Sequence, residues 1–168
     1  MSLLLAFWAS ALESQSAADS REFFQQIAAT HLSETKPHVQ DPRVAPLLNF
    51  FSRHHCPDMD LNGFYFISNY LDAADQNHID YRILPAISIQ ESSCGLHYPK
   101  DTNNILGWDS ARKGFGSIPE AISFVAQQLA TGYYYQGKST EEKLRAYNPN
   151  PSYAPEVEKL MKEISNEQ

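Results

Sequence analysis

A chain of 168 residues with 42% hydrophobic and 12% aromatic side chains has the size of one ordinary domain and can bury a sizeable core, which excludes intrinsic disorder over most of its length. The 20 acidic residues outnumber the 13 basic ones, for a formal net charge of -7, and no Lys/Arg run concentrates the positive charge, which speaks against a nucleic-acid or anionic-membrane binder. No apolar stretch approaches the roughly 20 residues of a membrane span, so a soluble protein is expected.

At the N-terminus, Leu3 to Trp8 form a short apolar segment followed by Ala9-Ser10-Ala11, which fits the small-x-small pattern of a signal-peptidase site. No Lys or Arg precedes Arg21, so the usual positive n-region is missing. Residues 1–18 are read as a candidate leader, with an irregular terminus as the alternative. Asp19-Ser20-Arg21-Glu22 is a D-x-x-E start for a helix to about Leu32, and Ser33 to Gln40 is a polar connector. Asp41-Pro42 sets a capping residue ahead of a first-turn proline, leading into a helix over Val44 to His55. Residues 19–60 are thus read as a helical packing region of the same single domain that residues 61–168 complete. Asp60 is predicted to cap a helix whose Leu61, Phe64, Ile67, Leu71 and Ala74 share one face, ended by the turn Gln76-Asn77-His78.

The next predicted helix, Tyr81 to Ser93, is the most apolar and is expected at the centre of the fold. From Gly95 to Gly116 the chain turns to Gly, Asn, Asp, Pro and aromatics, the composition of a functional loop or small hairpin. Ser117-Ile118-Pro119-Glu120 is an S-x-x-E capping box for a helix over Ala121 to Ala130 that Gly132 closes. A further helix begins within Ser139 to Glu142 and is broken by Asn148-Pro149-Asn150-Pro151. The last runs from Pro155 to Ile164, with Val157, Leu160, Met161 and Ile164 inward. No run of alternating strand residues is present, so the fold class is mainly α. The two cysteines, Cys56 and Cys94, permit one disulfide and with it an oxidising compartment, or else two buried free thiols.

Glu91 stands seven residues after Leu84 and four after Ile87, so it continues the apolar face of the central helix. Its carboxyl is therefore half buried, close to a helix C-terminus whose carbonyls disfavour a negative charge. Both effects raise its pKa and hold a proton on it, as a general acid requires. The alternative is a Glu91 that bonds a neighbouring loop or pairs with Arg82 or Arg145.

The stretch Ile83-Leu84-Pro85-Ala86-Ile87-Ser88-Ile89-Gln90-Glu91-Ser92-Ser93-Cys94-Gly95 resembles the catalytic helix of the lysozyme-like superfamily, in particular its lytic transglycosylase and bacterial endo-N-acetylglucosaminidase branches. There an apolar helix ends in a Glu-Ser pair whose Glu is the catalytic acid. Asn103-Asn104-Ile105-Leu106-Gly107-Trp108 is similar to the loop that lines the sugar cleft, and Ala146-Tyr147-Asn148, followed by Tyr153-Ala154 and Val157, to the Ala-Tyr-Asn motif of transglycosylases. The resemblance covers about Leu61 to Ile164. It departs from the transglycosylase pattern where Ile105-Leu106-Gly107-Trp108 replaces Gly-Leu-Met-Gln and where Pro149 stands in place of Ala-Gly, which leaves the product and the branch open.

The resemblance implies a lysozyme-like helical domain that cleaves β-1,4-linked N-acetylated glycans such as peptidoglycan as a transglycosylase, N-acetylhexosaminidase or muramidase, without cofactor or metal; a monomer is expected, and the leader-like segment with the possible disulfide points to export. Glu91 would be the single acid and base. Ser92, Asn104, Gly107, Trp108, Tyr147 and Asn148 would contact substrate, since sugar rings pack on aromatic faces. Asp101 and Asp109 are the candidates for a second acidic group, or else loop-capping residues. Of the run Tyr133-Tyr134-Tyr135, one ring is a candidate ligand contact. A non-catalytic glycan-binding or inhibitory module on the same fold is the competing expectation. His54, His55 and Cys56 are read as structural, because adjacent histidines project in different directions from a helix. No phosphate loop, nucleophile elbow or H-E-x-x-H occurs.

Overall fold

A computed structural model describes residues 41–56 and 59–165, with side chains described at 41–56 and 66–165. These residues fall within one compact unit, His38–Gln168. The candidate leader, the helix expected to Leu32 and the connector to Gln40 lie outside the described residues. Among the described residues there are six α-helices and no strand: α1 (Val44–Arg53), α2 (Met59–Asn77), α3 (Ile83–Ser92), α4 (Ile118–Thr131), α5 (Thr140–Tyr147) and α6 (Tyr153–Ser165). The loop after α3 holds only a short turn at Trp108–Ala111 and no hairpin. No described helix is long and apolar enough to cross a membrane.

Local chemistry sets most helix ends. The Asp41 carboxylate accepts a hydrogen bond from the Arg43 backbone N–H at 2.9 Å and its carbonyl from Val44 at 3.0 Å, so Asp41 starts α1 although Arg43 occupies the cap position. Helix α2 begins at Met59, which places Asp60 inside the first turn and not at the cap. It ends where His78 takes a left-handed backbone (φ 53) and the Asn77 amide bonds the Ala73 carbonyl. Ser117 caps α4 by accepting from the Glu120 N–H, while the Glu120 carboxylate accepts from Gly116. Ser139 and Glu142 form a reciprocal capping box at the start of α5. Helix α4 begins three residues and α6 two residues before the expected starts, and Gly132 closes α4 in an extended conformation, not a left-handed one.

Helix α3 is the centre of the packing. Ile83, Leu84, Pro85, Ala86, Ile87 and Ser88 are all buried, and α2, α4 and α6 pack around it. Each fully buried aliphatic side chain there contributes about 1.5–3 kcal/mol, which fixes the helix without strong caps. Pro85 is tolerated because it lies in the first turn, where its N–H would have no helical acceptor. At the other end, Ser93 and Cys94 both adopt left-handed backbones and the Cys94 N–H reaches the Ser88 carbonyl at 2.9 Å. The helix is therefore closed two residues before Gly95. Glycine is needed at 95 (φ 95) because an added Cβ would lie 3.2 Å from the Ile105 side chain of the loop.

Cys56 and Cys94 are bonded, with Cα atoms 5.5 Å apart, and tie the end of the α1 region to the end of α3. Closing a loop of that separation, 38 residues, stabilises the chain by about 4 kcal/mol on the chain-entropy model. His54 bonds Glu163 of α6 at 3.1 Å and His55 is exposed, so the adjacent histidines do diverge.

Candidate active site

Glu91 lies in the last turn of α3, half buried, where two cavities meet. The larger, of about 470 Å³, runs past Trp108, Asp109, Tyr135, Tyr147 and Asn148. The smaller, of about 120 Å³, is lined by Ser92, His97, Tyr98, Pro99 and Asn104. Glu91, Gly107 and Ser110 line both. Burial pushes the Glu91 carboxyl above the ordinary glutamate range, and the nearby Tyr153 hydroxyl partly offsets this. The two bases that could have paired with it are engaged elsewhere: Arg82 with Asp80 at 2.5 Å and Arg145 with Glu141 at 2.7 Å.

Three tyrosines surround the carboxyl. Tyr147, the last residue of α5, donates its hydroxyl to the Leu106 carbonyl at 2.6 Å and so braces the loop instead of bonding Glu91. Tyr153, the first residue of α6, stacks on Tyr147 with 6.1 Å between ring centres. Its buried hydroxyl has no hydrogen-bond partner of good geometry and lies close enough to Glu91 to act on its titration. Burial first, then the Glu91 charge, holds both phenols well above their ordinary pKa, so each keeps its proton. Tyr135 is 8% exposed, lines the larger cavity and packs beside Trp108 at 5.9 Å.

The loop from 93 to 117 forms the opposite wall and is shaped by hydrogen bonds. Asn104, 1% exposed, donates to the carbonyls of Trp108 and Lys113, both at 2.9 Å, and accepts from the Trp108 N–H at 3.0 Å. Its amide holds the loop together, and the residue borders the smaller cavity. Ser92 is also buried: its hydroxyl donates to the Ile105 carbonyl at 2.6 Å and accepts from the Gly95 N–H at 2.9 Å, joining helix to loop. Gly107 sits directly over Glu91. A Cβ there would lie 2.8 Å from the carboxyl carbon, and φ is +68, so only glycine lets the loop approach this closely.

Trp108 is half buried, held edge-on by Phe124 and Tyr147 at 5.5 and 5.7 Å, with its remaining surface on the larger cavity. Asn148 and Pro149 line the same cavity. Asp109 reaches it too, but is exposed and paired with Arg112 at 2.5 Å; Asp101 is exposed and lines neither cavity. Asp109, Ser110 and Ala111 are consecutive left-handed residues (φ 52, 55 and 58), a conformation that costs roughly 1 kcal/mol or more per residue.

The structure thus brings Glu91, Gly107, Trp108, Asp109, Tyr147 and Asn148 to one cavity, sets Ser92 and Asn104 on the smaller cavity with their polar atoms bonded to the loop, and leaves Asp101 apart. Sequence reasoning did not single out Tyr153 or Ser110, and it left open which ring of Tyr133-Tyr134-Tyr135 contacts ligand; Tyr135 is the one that lines the cavity. Tyr153 opens a new helix after a five-residue break, and no periodicity ties it to Glu91.

Among the described residues no group of three or more His, Cys, Asp or Glu side chains is placed to hold a metal ion. In comparisons with family models, with curated proteins and with solved structures, this chain matches none.

Proposed function

We propose that the chain is a lysozyme-like enzyme that cleaves the β-1,4-linked N-acetylated glycan strands of peptidoglycan, as a lytic transglycosylase, N-acetylhexosaminidase or muramidase. The observation that carries this reading is a half-buried carboxyl, Glu91, at the junction of two cavities, with a raised pKa and no ion-pair partner among the described residues. A strand lying through both cavities would set one glycosidic bond over that carboxyl. The Cys56–Cys94 bond is compatible with export to an oxidising compartment.

Glu91 gives its proton to the glycosidic oxygen, and the C1–O bond breaks with both electrons leaving on that oxygen. The resulting carboxylate then takes a proton from water, or from the sugar's own 6-hydroxyl, as that oxygen bonds to C1. Between the two steps Tyr153, which keeps its own proton, donates a hydrogen bond toward the carboxylate. That fits the direction in which it moves the Glu91 pKa. Asp109 is too exposed, and too closely held by Arg112, for a buried nucleophile. Assistance by the substrate's N-acetyl group is the better-supported route to stabilising the positive charge.

Mass spectrometry of soluble products from purified peptidoglycan, with wild type and Glu91→Gln in parallel, tests this. Anhydro-sugar products from the wild type alone identify a transglycosylase, and reducing ends identify a hydrolase. Absence of products while glycan is still pulled down gives the non-catalytic binding module instead.

A further inference from the structure

Three residues line both cavities where they meet: Glu91, Gly107 and Ser110. Glu91 is the acid and Gly107 has no side chain, so Ser110 brings the one other side chain to the junction. A single carbon separates its hydroxyl from the backbone, which keeps that oxygen close by. Ser110 is exposed, and its hydroxyl bonds no described residue. The Ser92 hydroxyl and the Asn104 amide, which border the smaller cavity, are by contrast bonded into the loop. The backbone that presents Ser110 is a costly one. Asp109, Ser110 and Ala111 are left-handed in succession, with φ of 52, 55 and 58, and none is a glycine. The turn is pinned in that shape: the Ala111 N–H donates to the Gly107 carbonyl at 3.2 Å, the Arg112 N–H to the Asp109 carbonyl at 3.1 Å, and the Arg112 guanidinium to the Asp109 carboxylate. A glycine would take the central φ without strain. Strain of this kind collects where a side chain is placed against a ligand.

We propose that Ser110 is a substrate contact at the bond being cut, its hydroxyl bonding the acetamido group of the sugar whose C1–O bond breaks. This inference rests on the glycan-cleaving reading above. A glycosidic bond set over Glu91 puts the two sugars it joins into the two cavities, and a residue that lines both stands beside that bond. Of the substrate's groups there, the glycosidic oxygen is taken by Glu91 and the apolar ring face suits the free surface of Trp108. The acetamido group, on the carbon next to C1, is the nearest polar group left over. Its N–H and C=O match a hydroxyl that can both accept and donate. Ser110 accepts from the N–H, which leaves the acetamido carbonyl oxygen free to approach C1 as the leaving oxygen departs, the route by which the N-acetyl group stabilises the positive charge.

The test compares the full chain with Ser110→Gly, which removes the hydroxyl and relieves the turn. Thermal unfolding should stay at the wild-type temperature or rise, while kcat/KM on purified peptidoglycan falls about tenfold. A serine with only a structural role would give a variant that is less stable, or one as active as wild type, and either result overturns the proposal. The second measurement is calorimetric binding of a peptidoglycan tetrasaccharide, intact or de-N-acetylated, to the Glu91→Gln chain, so that nothing is cleaved. Adding Ser110→Gly should weaken binding of the intact tetrasaccharide about tenfold, and the de-N-acetylated one should bind the two proteins alike. No loss for the intact tetrasaccharide, or equal losses for both, would overturn the acetamido contact and leave the cleft reading standing. If the Glu91→Gln chain binds neither tetrasaccharide, the cleft reading itself falls and the contact with it.

Discussion

Glu91 is held between two walls built on different physics. Helix α3 is positioned by burial: its first six residues are enclosed by three other helices, and its position survives the lack of a side-chain cap at its start. The facing loop buries little beyond Ile105, Leu106 and Phe115, and is held by discrete polar contacts from Asn104, Ser92, Asn103 and Tyr147. Area burial tolerates small errors, because many weak contacts share the load. Hydrogen-bonded loops do not, because each lost partner leaves a buried polar group unsatisfied. The helix thus sets the protonation of the acid, and the loop sets the shape of the cleft around it.

The two walls should respond differently to substitution. Glu91→Gln removes the acid itself and should lower cleavage of peptidoglycan by about 10²–10⁴-fold while glycan pull-down persists. The same variant separates stability from activity. Burial raises the folded-state pKa of Glu91 above its unfolded value, so the folded chain binds more protons between the two. Its ionised form therefore costs stability that is absent below the ordinary carboxylate range and complete above the raised pKa. Thermal unfolding should show Glu91→Gln more stable than wild type at neutral pH, with the gap closing as the pH falls toward 4 and below.

Gly107→Ala breaks the contact between the walls. The added methyl would press on the Glu91 carboxyl and strain a left-handed backbone, so a loss of about 10² in kcat/KM is expected, with a stability cost of about 1–2 kcal/mol in denaturant titration. Asn104→Ala attacks the loop alone. It would leave the Trp108 N–H and the Trp108 and Lys113 carbonyls unpaired, at about 3 kcal/mol, and should reduce activity while Glu91 still titrates above the ordinary range. Tyr153→Phe should have the smallest effect, a few-fold in rate. It removes the hydroxyl that lowers the Glu91 pKa, so the alkaline limb of the pH–rate profile should move to higher pH; a limb that stays in place would remove Tyr153 from the account.

The same division governs what could be read from the amino-acid sequence. Helices α3 to α6 and the half-buried position of Glu91 follow from apolar spacing and from Ser117, Ser139 and their partner glutamates, because burial and capping leave a periodic trace. The loop leaves none. Left-handed backbones at Ser93, Cys94 and Asp109 to Ala111 fall on residues other than glycine, so the helix end within a residue of Ser93 was legible but the left-handed turns that follow it were not. Asn104 and Ser92 look like ligand contacts in a motif, and only the fold shows their polar atoms turned to the backbone. Tyr153 and Tyr135 reach the cavity through tertiary packing of separate elements, which spacing along the chain cannot encode.

The rate of peptidoglycan cleavage as a function of pH, with Glu91→Gln carried through every point as its blank, tests the central claim most directly. The account predicts activity from the wild type alone, falling as pH rises through a titration above the ordinary glutamate range. Cleavage by Glu91→Gln at the wild-type rate, or a wild-type rate that stays flat through that titration, would contradict it.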